Sequence, residues 1–164
     1  METNVFKKDN LIWWAIKRII VSFLVAVGIT FVITLIMGYK YRLVGSGSMQ
    51  PAIPTHSLIA TVKVPYEDLK IGDIITYRIG NLTFTHRIVE IAENGNVITA
   101  GDANINSETG IPNRDGEIPK ERYVGKYVFQ VYPIGELIFF MKQNIMICGI
   151  LIILGFFTYA VVVD

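Results

Sequence analysis

Cysteine is almost absent from this chain: Cys148 stands alone among 164 residues, inside an apolar run. An internal disulfide is therefore excluded, and so is a metal cluster built on thiolates. Excess charge of either sign is lacking too, with 15 basic against 14 acidic residues and a formal net charge of +1. Without a global field to attract nucleic acid, that class of partner drops out. Histidine occurs only twice, at His56 and His86. Charged residues make up 18% of the chain and hydrophobic ones 52%, which is too apolar for one ordinary soluble domain yet not apolar enough to be all membrane. Part of it is expected to face lipid. Internal repeats and low-complexity tracts are also missing.

What the chain does contain is two uncharged runs of membrane-spanning length. Residues 19–39 carry no charge, and a helix needs about 20 apolar residues to cross the hydrocarbon core. A cleaved secretory signal would have an apolar core of only about 7 to 15 residues, so the run reads as an uncleaved anchor. Lys7, Lys8, Lys17 and Arg18 precede it, against Lys40 and Arg42 behind, which places residues 1–18 in the cytoplasm and the following domain outside. Trp13 and Trp14 suit the headgroup layer. The second run, residues 143–163, has no polar stripe and reads as a second spanning helix, giving a two-pass protein of the cell membrane. Phe139, Phe140 and Met141 either seat the domain in the interface or form the first turn of that helix.

Between the anchors, residues 40–142 have the size of one small domain. Residues 58–64, 73–79, 82–91, 96–100 and 123–131 are rich in Ile, Val, Thr, Tyr and Phe with partial two-residue alternation, predicting strands. Gly80-Asn81 and Asn94-Gly95 are placed to close hairpins. A mainly β, antiparallel domain is the economical fold. The polar, glycine- and asparagine-rich segment 101–116 lacks a period and reads as a loop.

Just behind the first anchor lies Gly45-Ser46-Gly47-Ser48-Met49-Gln50-Pro51. Alone, a Gly/Ser stretch more often serves as a linker than as an active site. A serine nucleophile needs a base to take its proton, and often a third group to orient that base. His86 lies within the longest strand, where a rigid backbone fixes an imidazole, whereas His56 falls in a turn and reads as an exposed loop residue. Lys63 and Lys70 are formal candidates for a serine/lysine pair.

Four motifs then follow in order: Ser46-Gly47-Ser48-Met49-Gln50-Pro51, Gly72-Asp73-Ile74-Ile75, Thr85-His86-Arg87 and Gly101-Asp102-Ala103-Asn104. Together they resemble the type I signal peptidases, and more narrowly the serine/histidine branch found in archaea, the endoplasmic reticulum and some Gram-positive bacteria. Val124-Gly125-Lys126 through Tyr132-Pro133-Ile134-Gly135 is similar to the family's final strand and the turn after it. The likeness covers residues 43–137. It implies a membrane-bound serine endopeptidase that cuts signal peptides from exported preproteins through an acyl-enzyme, with the bilayer and the preprotein as partners and no metal or cofactor. Ser48 would be the nucleophile and His86 the base, standing where the commoner bacterial branch has lysine. An imidazole, with an ordinary pKa of about 6.5, is mostly neutral near pH 7 and accepts a proton without strong desolvation. For the third member, Asp102 ranks ahead of Glu108, which stands where many relatives have their acid, and Asp115 ranks behind both. The Ser48 backbone N–H and the Ser46 hydroxyl would stabilise the oxyanion. Met49 and Pro51 would offer apolar surface to an extended peptide, with small residues preferred at the first and third positions before the cut. Two alternatives remain: a processing peptidase dedicated to one substrate class, and a non-catalytic membrane-anchored β-domain scaffold.

Overall fold

The computed structural model describes residues 3–163, with side chains for residues 12–160. Lys7 and Lys8, which contribute to the expected orientation, lie outside the described side chains. Two compact units are present, Met1–Tyr39 and Lys40–Asp164.

The first unit is a single helix, α1, spanning Thr3–Ile36. Its stretch Ile12–Ile36 is long and apolar enough to cross a membrane. Two hydroxyls near its end turn back on the helix, Thr30 Oγ1 donating to the Ala26 carbonyl at 2.9 Å and Thr34 Oγ1 to that of Phe31 at 2.7 Å. Each of these two donors is thereby met without water. Arg18 lies over the Trp14 ring, 3.6 Å from its centroid, at the polar head of the run. The helix stops at Gly38, whose φ of +84° suits glycine. There Gly38 N–H donates to Leu35 and Tyr39 N–H to Thr34, the paired bonds of a Schellman cap.

The second unit is built on one seven-stranded antiparallel sheet. Its strands are β1 (Lys40–Leu43), β2 (Leu58–Val62), β3 (Ile74–Ile79), β4 (Leu82–Ile91), β5 (Val97–Ile105), β6 (Pro112–Ile118) and β7 (Tyr123–Val131), in spatial order β1-β2-β7-β3-β4-β5-β6. The Gly80-Asn81 turn joins β3 to β4 as expected, with Ile79 opposite Leu82 and Gly80 at φ +57°. Two strands depart from the sequence reading. The short cationic step after the anchor is β1, paired with β2 from Lys40↔Thr61 to Leu43↔Leu58. The segment read as a loop, 101–116, holds the end of β5, a connection and most of β6, an edge strand in which only Ile118 is buried. Its hydrophobic alternation is missing because one side of it faces solvent and the register slips twice along it.

Two apolar clusters hold the sheet. Leu69, Ile75, Tyr77, Ile88, Val97 and Ile118 form one with Tyr123. The smaller one contains Met49, Ile53, Ile59 and Ile74. Met49 is therefore a core residue, and it fastens the turn carrying Ser48 to the sheet.

After β7 come α2 (Tyr132–Gln143) and α3 (Ile145–Val163). The expected second span begins at the break between them. Taken as one broken span bent by 93°, the pair meets the length and apolarity needed to cross a membrane; among the described residues only α1 does so by itself. Gly135 of α2 is buried against the chain entering β2, where an added Cβ would stand 2.0 Å from the His56 carbonyl oxygen.

Candidate active site

Ser48 sits in a tight turn between β1 and β2, closed by Gln50 N–H to the Gly47 carbonyl at 3.0 Å and Ile53 N–H to that of Met49 at 2.8 Å. On the sheet side its own carbonyl accepts the Ala103 N–H at 2.9 Å. That contact is close because β5 has a glycine there: a Cβ on Gly101 would be 2.6 Å from Ser48 O and 2.8 Å from Asn104 Nδ2. The glycine of the fourth motif thus lets a strand backbone press against the serine turn.

His86, 5% exposed, reaches Ser48 from β4, with Nε2 at 3.0 Å from Ser48 Oγ. Its other nitrogen, Nδ1, lies 2.6 Å from Asp115 Oδ2 on β6. The same carboxylate oxygen accepts the Thr99 hydroxyl at 2.6 Å and the Tyr77 hydroxyl at 3.0 Å. With an acid on Nδ1, that nitrogen carries the hydrogen and Nε2 presents its lone pair to the serine. Burial pushes the Tyr77 phenol well above its ordinary pKa, and the neighbouring Asp115 charge adds to this, so it stays a donor. Ser46 Oγ is 3.3 Å from Ser48 Oγ. A hydroxyl bonded to an imidazole whose far nitrogen is held by a carboxylate is an arrangement able to give up its proton while attacking a carbonyl.

The structure brings Ser48, Ser46 and His86 together and keeps both preferred acids away from the imidazole. Asp102 makes a two-pronged ion pair with Arg87, Nε to Oδ1 at 2.9 Å and Nη2 to Oδ2 at 2.7 Å. Arg87 also donates to the Gly72 carbonyl at 2.9 Å, and Asp73 pairs with Lys126 at 2.7 Å. These motif charges therefore tie β4 to β5 and the turn before β3 to β7. Asp102 is turned from His86 because successive side chains alternate across a strand, and Arg87 directly follows His86. Glu108 is exposed in the β5–β6 connection, its N–H on Asn106 Oδ1 at 2.8 Å. Asp115 takes the expected place because β6 folds back along β5, bringing it to the Thr99 hydroxyl. Pro51 is exposed and lines no part of the adjoining cavity, whereas Met49 contributes to its wall from the core. Lys63 and Lys70 are exposed, and neither bonds to Ser48.

His56 is not the free loop residue expected. It is half-buried at φ +64°, its ring stacked 3.5 Å from that of Phe139, with Nδ1 3.2 Å from Glu136 Oε1. Its N–H donates to the Val44 carbonyl, so α2 is fastened directly to the segment carrying the serine.

A cavity of about 270 Å³ opens beside Ser48 and His86, walled by Leu43 to Gly45 from one side and Leu82 to Thr85 from the other. β5 pairs with β4 only from Arg87 onward, so Leu82–His86 bond to β3 alone and leave their other edge open. β1 is an outer strand as well. Among the described residues, two strand edges that pair with no further strand thus flank the cavity.

An antiparallel β domain with this site and an apolar N-terminal helix is compatible with a hydrolytic class of protein. No family model matches the chain. Signal peptidase I W of Bacillus subtilis (strain 168) is 39% identical over 74 residues, covering 42% of this chain and 39% of that protein. The chain thus spans about two fifths of the length of the curated relative it matches. This partial and distant homology supports a relationship to the type I signal peptidases, and with it a peptidase.

Proposed function

We propose that the protein is a membrane-anchored serine endopeptidase of the serine/histidine branch that removes signal peptides from exported preproteins. The observation carrying this reading is the continuous chain of hydrogen bonds from Ser48 through His86 to Asp115. Ser48 Oγ attacks the scissile carbonyl while His86 Nε2 takes its proton, and Asp115 holds the ring and stabilises the imidazolium. As the tetrahedral intermediate collapses, the C–N bond breaks and His86 returns the proton to the leaving amine. Water then attacks the ester by the same route, releasing the signal peptide and restoring the serine. The Ser48 N–H and the Ser46 hydroxyl, which lies 3.3 Å from Ser48 Oγ, are the donors this reading assigns to the oxyanion.

The substrate enters as an added strand between the open edges of β1 and the first half of β4, its backbone supplying the missing bonds. α1 holds the domain at the bilayer, with the N-terminus cytoplasmic and the sheet outside. Substrates whose own apolar segment is still in the membrane are thereby met at raised local concentration.

The test is cleavage of a preprotein by the full chain in detergent. Ser48→Ala and His86→Ala are each expected to lower the rate by about 10⁴-fold or more, and Lys63→Ala to leave it near wild type. Undiminished cleavage by Ser48→Ala contradicts the mechanism, and loss with Lys63→Ala but not His86→Ala replaces the base.

A further inference from the structure

The cavity that would receive the substrate strand has a cation in its wall without an anion to match. Arg42 of β1 lines it, half-buried, and is paired across the sheet with Ile59, which also lines it. A guanidinium carries five N–H donors. The Arg42 side chain uses one, from Nη1 to Thr61 Oγ1 at 3.1 Å. Thr83 of the far wall stands opposite Arg78 of β3, a second cation that lies outside the lining but close enough to repel Arg42. Among the described residues, no carboxylate pairs with either arginine, although Arg87, Arg114, Lys120 and Lys126 each have one. Burial, then repulsion from Arg78, holds the Arg42 guanidinium below its usual pKa. A positive charge removed from water in this way is stabilised by whatever anion enters beside it.

Resting on the peptidase reading above, we propose that Arg42 is a specificity-determining residue: it favours substrates whose extended segment ahead of the cut points an aspartate or glutamate into this cavity, and it rejects lysine or arginine there. Side chains alternate along an extended peptide, so the preference falls on particular positions and leaves their neighbours indifferent. Aspartate suits best, being the smaller carboxylate in a small cavity. The guanidinium fork grips a carboxylate with two parallel bonds, whereas an incoming ammonium meets a like charge in the wall and no carboxylate there. Arg78, exposed to solvent, adds to the field without gripping.

The experiment uses the full chain in detergent carrying Ser48→Ala, so that binding is read without turnover. Labelled short peptides around one alanine-rich cleavage sequence carry Asp, Asn or Lys at each position ahead of the cut in turn, and fluorescence anisotropy gives their affinities. The expected result is a position at which Asp binds about tenfold or more tighter than Lys, with Asn between. That difference disappears on adding Arg42→Gln, survives Arg42→Lys and shrinks partly with Arg78→Gln, a pattern that mere packing by Arg42 would not produce. Asp and Lys binding within about twofold at every position, a preference unchanged by Arg42→Gln, or no binding of any peptide overturns the proposal. Cleavage of the all-alanine peptide by the protein with Ser48 intact, beside its Ser48→Ala variant, reads the peptidase assignment separately. Failure there with the charge preference intact removes that assignment and leaves Arg42 selecting anions.

Discussion

At the scale of single residues, the acid on the imidazole decides how the site is understood. Asp102 and Asp115 are both aspartates within reach of β4, yet one is held by Arg87 and the other by His86. Sequence position favoured Asp102 because it follows a glycine at a strand end in a familiar motif. What the motif encodes instead is the approach of β5 to Ser48 and a charge fork on the residue after His86. Tyr77 and Thr99 were silent in the sequence, since a tyrosine and a threonine in strands look like any other strand formers; only the Asp115 oxygen they share reveals them. Tyr77 also yields a pH prediction. Its phenol is raised above the ordinary 10.0, chiefly by burial, so the folded chain keeps the proton after the unfolded chain has lost it. That contribution is complete below about pH 10 and is lost as pH rises through the folded value. Urea midpoints should therefore fall with alkalinity, and less steeply in Tyr77→Phe. Tyr66, Tyr123 and Tyr127, also raised by burial, retain the rest of the slope. An unchanged slope in Tyr77→Phe contradicts the assignment.

At the scale of elements, two glycines mark where one segment presses on another, and they should fail differently. Gly101→Ala sets a Cβ 2.6 Å from the Ser48 carbonyl, so the turn bearing the serine must move. Activity should fall at least about tenfold, since displacement of a nucleophile by even a fraction of an ångström misaligns attack, while Tm falls only modestly. Gly135→Ala meets three backbone atoms of residues 56–58, the nearest at 2.0 Å, and must pry α2 from β2. Its main effect should be on Tm, with a loss of about 2 kcal/mol or more, read by thermal unfolding in detergent. Equal behaviour of the two variants would contradict this division. The β2, β3, β4 and β7 regions were legible because they are rich in Ile, Val, Thr, Tyr and Phe, and Gly80-Asn81 marks the turn between β3 and β4. β6 was not, because an edge strand of Pro, Asn, Arg, Asp and Gly buries only Ile118 and is held by pairing with β5. His56 was missed for a similar reason: its partners, Glu136 and Phe139, lie some eighty residues away in a stretch that was not read as a helix.

At the scale of the whole molecule, an uncharged run predicted an apolar N-terminal helix and the strand pattern a mainly antiparallel β region, and the chain has both. Charge-free length is a property of the chain itself, so α1 needed no tertiary information. The break at Asn144, which sets α2 and α3 at 93°, falls where the uncharged run begins, just after Lys142; the helical conformation of 132–143 ahead of it was not read from the sequence. Membrane anchoring predicts that the full chain stays with the bilayer under alkaline carbonate extraction; release into the soluble fraction contradicts it. The central claim is that Ser48 acts through His86 and that Asp115, not Asp102, supports the ring. Pre-steady-state acylation by Asp115→Asn and Asp102→Asn, measured beside the parent on one preprotein, tests it most directly. Asp115→Asn should slow acylation by about 10² to 10⁴-fold at unchanged substrate affinity, with Asp102→Asn within about tenfold of the parent. Full-rate acylation by Asp115→Asn, or a greater loss in Asp102→Asn, would contradict the account.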